Sequence, residues 1–114
     1  MIVERNIPIH DDFRIARGNW SRIYSIRCAA CDRLVCYYQK DGGGKLKRLY
    51  IDRIFSPTVP VGRKIFRCPV HHELGIRVLY AKESRASVRL FVDAITKETT
   101  SVDDYLKSRA AGQR

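Results

Sequence analysis

The sequence predicts a small, β-rich α+β domain closed by a short C-terminal helix. Three observations carry this. Runs of β-forming residues recur along the chain, separated by turn-forming clusters. Two short ligand clusters, Cys28-Ala29-Ala30-Cys31 and Cys68-Pro69-Val70-His71, each sit between such runs, with 36 residues separating Cys31 from Cys68. Near the end, Ser101-Val102-Asp103-Asp104 has the form of a helix N-cap followed by acidic residues in the first turn.

The elements follow in order. Residues 1–20 form a mixed N-terminal arm in which Ile2, Val3, Ile7 and Ile9 suggest a short strand, with Pro8 restricting it to a sheet edge. Arg22 to Arg27 reads as a strand entering the first cluster, and Leu34 to Gln39 as one leaving it. Asp41-Gly42-Gly43-Gly44 is a turn. Leu46 to Ile51 then returns, so residues 34–51 read as a hairpin inserted between the clusters. Ser56 to Gly62 is a loop. Lys64 to Arg67 runs into the second cluster, and Gly75 to Tyr80 runs out of it. Residues 86–95 alternate apolar and polar side chains with a period of two, which predicts one further half-buried strand. Residues 101–109 form the helix, and residues 110–114 a frayed tail.

A chain of 114 residues is most simply a single domain. Domains of this size often supplement a limited core with a metal or disulfides. No run approaches the ~18 apolar residues of a membrane helix, and residues 1–6 lack the apolar core of a signal peptide. The expectation is therefore a cytoplasmic chain with no membrane partner. Thiols there stay reduced, so C-x2-C reads as metal-binding or redox-active rather than as part of a disulfide framework.

Cys28, Cys31, Cys68 and His71 supply the four soft or borderline donors that a closed tetrahedral Zn²⁺ site needs. His72 is an alternative fourth ligand, with three residues between it and Cys68. Iron is a second candidate metal, although histidine favours zinc. A redox C-x2-C prefers a helix N-terminus in a βαβ unit, which the β-rich flanks do not provide. Cys36, the fourth cysteine, lies within a strand and reads as a small core residue. Two knuckles of this kind, each between strands, resemble a zinc ribbon, in which paired β-hairpins clamp one zinc. The resemblance spans about residues 22–80 and implies one structural zinc. Two departures stand out: His71 replaces the usual last cysteine, and His72 the glycine that follows it. The long spacer also carries its own hairpin.

An enzyme is not expected. Four ligands leave no open coordination position, H-E-x-x-H is absent, and Gly42-Gly43-Gly44-Lys45 lacks the Ser or Thr and the frame of a phosphate loop. The charge points elsewhere. The net charge is +10, and residues 14–67 hold 13 Lys or Arg against three Asp, so the whole excess lies there. Arginine outnumbers lysine 15 to 7, and guanidinium forks suit phosphates. The candidate contacts are Arg27 and Arg33 at the first knuckle, and Lys40, Lys45, Lys47, Arg48 and Arg53 on the hairpin. Arg63, Lys64 and Arg67 precede the second knuckle. Tyr37, Tyr38 and Tyr50 lie among them, as core residues or as stacking platforms. The expected partner is an RNA or DNA phosphate backbone, with the chain an accessory part of a ribosome or other ribonucleoprotein. The competing reading is a protein-docking module for an acidic partner. No motif for sequence-specific recognition is present.

Overall fold

The computed structural model describes residues 8–112. The suggested strand of the N-terminal arm falls almost wholly outside them. The arm contributes instead helix α1, Asp12–Ala16. Asp11 caps it, its Oδ1 accepting from the Arg14 backbone N–H at 3.1 Å.

The β-rich expectation is met, among the described residues, by eight strands in two antiparallel sheets. They are β1 (Ser21–Cys28), β2 (Leu34–Asp41), β3 (Arg48–Tyr50), β4 (Ile54–Phe55), β5 (Ile65–Arg67), β6 (Glu73–Tyr80), β7 (Arg85–Leu90) and β8 (Ile95–Thr100). The first sheet has the order β4-β2-β1-β8, the second β3-β7-β6-β5. The chain therefore passes repeatedly between the sheets, and neither sheet is complete without segments from both halves of the sequence. One core joins them: Ile26, Val35, Cys36 and Tyr38 from the first sheet meet Leu49, Phe66, Leu74 and Val88 from the second.

The inserted hairpin does not form. β2 pairs with β1, with Tyr24 opposite Tyr38, whereas β3 crosses to the other sheet and pairs with β7, with Leu49 opposite Val88. Both Leu49 and Val88 are fully buried. The turn at Gly42–Gly44 is real, but burying Leu49 decides the partner of the strand after it. The segment 86–95 is likewise not one strand. It breaks after Leu90, where Asp93 adopts a left-handed φ of 58° and Val92 is 90% exposed. β7 and β8 then belong to different sheets.

The C-terminal helix, α2, spans Val102–Gly112, longer than the expected 101–109 and extending into the expected tail. Ser101 caps it, its Oγ accepting from the Asp104 N–H at 2.9 Å. Tyr105 anchors it on the outer side of the first sheet, buried with Ile23 and Phe55, its ring 4.7 Å from that of Tyr37. β2 is thus covered on both faces, which explains its nearly continuous burial.

Candidate metal centre

The two ligand clusters are hairpin turns. Residues 28–33 connect Arg27 to its partner Leu34 in the first sheet. Residues 68–72 connect Arg67 to Glu73 in the second. Packing of the sheets brings the turns together. Cys28 Sγ, Cys31 Sγ, Cys68 Sγ and a ring nitrogen of His72 all lie within 4.8 Å of one another. This group draws its members from a turn of each sheet.

The fourth member is His72, which corrects the expectation of His71. The cause is turn length. In the first turn the Asp32 N–H donates to Cys28 O at 2.8 Å, and Asp32 takes the left-handed conformation at φ 60°. In the second turn, one residue shorter, that role falls to His71, with φ 75° and its N–H 2.8 Å from Cys68 O. His71 is exposed and lies outside the cluster. The next residue, His72, turns back instead. Its N–H donates to Cys68 Sγ at 3.3 Å, and its Nδ1 lies 3.3 Å from Cys68 Sγ and 3.6 Å from Cys28 Sγ.

These spacings suit a tetrahedral metal. Zn–S bonds near 2.3 Å and Zn–N bonds near 2.05 Å imply S···S edges of about 3.8 Å and S···N edges of about 3.6 Å. Cys31 Sγ and Cys68 Sγ are 3.8 Å apart. Two thiols of the cluster shift in opposite directions. Burial opposes a thiolate at Cys68, but backbone N–H groups of His72 and Val70, with the His72 ring and Cys31, outweigh it and bring its pKa down to about 6. At Cys31 the Arg33 N–H favours the thiolate, yet burial and the sulfurs of Cys28 and Cys68 hold its pKa above the usual thiol value. Sulfurs this close cannot all ionise comfortably without a cation between them. Cys36 stands apart, fully buried in the core, where burial pushes its thiol up to about 12.

The cations assigned to a ligand surface separate into several environments. Arg53 is the clear correction. It is 1% exposed, its Nε donating to Asp41 Oδ2 at 2.9 Å and its Nη2 to Asp11 Oδ1 at 2.6 Å. It joins the N-terminal segment to β2 rather than meeting solvent. Gln39, also fully buried, extends this network by donating to Asp41 Oδ1 and gripping both the N–H and the C=O of Ile9. Lys40 folds its ammonium onto the carbonyls of Asp41, Gly42 and Gly43, and desolvation lowers its pKa. Arg67 pairs with Glu73 at 3.2 Å, and Arg27 donates to Asp32 O. Arg48 lies over the Tyr80 ring at 4.3 Å. Arg33, Lys45, Lys47, Arg63 and Lys64 are exposed. Of the tyrosines in that stretch, Tyr38 is core and its Oη accepts from the Tyr50 N–H, while Tyr37 and Tyr50 are half-buried.

Sequence reasoning missed Arg85. It is 5% exposed, with its guanidinium 3.9 Å from the Phe13 ring centroid and 3.8 Å from that of Tyr50, and it is bonded to Asp52 and Glu83. No local pattern marks it, because Phe13, Tyr50 and Asp52 all lie far from it in the sequence. In comparisons with known proteins, no family model, no curated protein and no solved structure matches the chain.

Proposed function

We propose that this chain is a zinc-stapled, non-enzymatic nucleic-acid-binding protein that holds phosphate backbones, as an accessory part of a ribonucleoprotein. Cys28, Cys31, Cys68 and His72 hold one structural Zn²⁺ in a site of zinc-ribbon form. Three thiolates and one imidazole fill a tetrahedron, so the ion has no position for substrate and serves to lock the two sheets. That donor set favours zinc over harder cations such as Mg²⁺ or Ca²⁺, which take oxygen ligands.

The observation that carries the binding reading is the residue of charge left after internal pairing. The carboxylates Asp11, Asp41, Asp52 and Glu83 are engaged with Arg53, Arg85 and Arg17. Lys45 and Lys47 remain exposed on the loop leading into β3, and no ion pair among the described residues involves them. Unneutralised cations of this kind attract polyphosphates through counterion release.

The test is binding to a generic RNA across a salt series. Affinity should fall steeply as salt rises, and Lys45→Glu with Lys47→Glu should weaken it while leaving zinc content and the far-UV spectrum unchanged. Absence of binding at low salt would overturn the reading and leave protein docking in its place.

A further inference from the structure

Two hollows, of about 160 and 570 Å³, flank the loop entering β3 and share Lys45, Leu46, Lys47 and Arg48 in their walls. The larger is completed by the end of β7, the β7–β8 connection and the start of β8, which add Arg89, Phe91 and Lys97. Asp93 is the one carboxylate in that wall, and Asp41, in the wall of the smaller hollow, is held by Arg53.

The larger hollow forms a trough, in which Arg48 and Arg89 are direct cross-strand partners on β3 and β7. Like charges placed opposite one another on a sheet face destabilise it. Neither has an ion-pair partner among the described residues. Arg48 is held in place over Tyr80, and its buried Nε has no acceptor. Such a pair lacks a counter-charge among the described residues and is open to one from a ligand.

Exposed aromatic rings stand near the trough. Phe91, in its wall, is 39% exposed. Trp20, 40% exposed, lies beside Gly43, just before Lys45, where a Cβ on that glycine would be 3.9 Å from the indole. Aromatic faces serve protein interfaces as well, but set beside unpaired cations they suit stacking on unpaired bases.

We infer that this trough is a track for single-stranded nucleic acid, with the Arg48–Arg89 pair clasping a backbone phosphate and Phe91 stacking on a base. The inference rests on the nucleic-acid reading above and names its partner class and its site. Arg89, Phe91 and Lys97 enter the interface, and Arg63 and Lys64, which lie outside this trough, are secondary.

The experiment measures fluorescence anisotropy of a labelled 12-nucleotide single-stranded RNA, the same sequence as DNA, the matching duplex and polyglutamate, using zinc-loaded full chain. Variants are Arg89→Ser, Phe91→Ala and, as a control, Arg63→Ser with Lys64→Ser. Arg89→Ser should weaken single-strand binding about tenfold and reduce the salt slope by about 0.7, the value for one phosphate contact on a single strand. Without ligand, it should melt no lower than wild type, because a like-charge pair has been removed. Phe91→Ala should weaken single strands about tenfold and duplex much less. The control pair should lose less than either. Single-strand binding insensitive to Arg89→Ser and Phe91→Ala would overturn the trough while leaving the broader reading intact. Preference for duplex, or polyglutamate binding as tight as RNA, would overturn the single-strand assignment. No binding of any nucleic acid at low salt would overturn both.

Discussion

Replacing Arg53 with methionine keeps most of the side-chain volume but removes a cation that is 1% exposed. Asp41, whose side chain is 4% exposed, then keeps the bonds that Gln39 and Ser21 donate to Oδ1 and loses the Arg53 bond to Oδ2. Breaking a buried pair by deleting one partner leaves an uncompensated charge and destabilises by about 3–5 kcal/mol. The two surviving bonds to Asp41 place this case near the lower end, at ~3 kcal/mol. Asp11, the other partner, is a third exposed and contributes little beyond that. With a urea m-value of about 2 kcal/mol/M, the midpoint should fall by roughly 1.5 M. The assay is urea unfolding of zinc-saturated protein followed by the fluorescence of Trp20, the single tryptophan. Adding Asp41→Asn to Arg53→Met should recover a large part of the loss, because removing both charges leaves neither stranded. A midpoint within about 0.3 M of wild type for Arg53→Met would refute the reasoning and return Arg53 to the surface cations.

Two further outcomes are expected. Gly75→Ala should destabilise by about 1–3 kcal/mol in the same urea assay, because its Cβ would meet Arg89 O at 2.5 Å and Val88 Cγ1 at 2.8 Å. Acid should selectively erase the contribution of Glu83, whose pKa is lowered by the Arg17 hydrogen bond against the pull of burial. A carboxylate depressed in the folded state stabilises above its unfolded value, here 4.5, and that contribution is lost as pH falls from there through the folded value. The stability gap between wild type and Glu83→Gln, measured by urea melts at stepped pH, should therefore close below about pH 4.5 and be full at pH 6.

What the sequence made legible was local. Cys28 and Cys31 sit three apart between β-forming runs, and a hairpin turn is the short-range answer to that pattern. Ser101 and its acidic neighbours define a cap within four residues. Cys36 alternates with core positions and is buried as such. What escaped depends on distant partners. The turn at Gly42–Gly44 says that the chain reverses, but only the burial of Leu49 against Val88 says where β3 goes. The period-two pattern of Val88, Leu90 and Val92 runs on through a break that Asp93 makes in the backbone. The cluster member His72 lies beyond the expected spacing because the second turn is one residue shorter than the first. Counting charges also treats Arg53 like Lys47, whereas one is enclosed by carboxylates and the other faces solvent.

The relation between the metal and the basic trough follows from topology. β3 and β7 form the Arg48–Arg89 pair in the second sheet, and Lys97 comes from β8 in the first. A metal held by the cluster, as proposed, would join a turn of each sheet and so fix the trough's walls relative to one another.

The most direct measurement is metal content of reduced, purified protein alongside its His71→Ala and His72→Ala variants. Wild type and His71→Ala should each carry about one Zn per chain and unfold when a strong chelator removes it, whereas His72→Ala should lose the metal or bind it far more weakly. A fully folded, metal-free wild type, or a His72→Ala variant that keeps its zinc while His71→Ala loses it, would contradict the account.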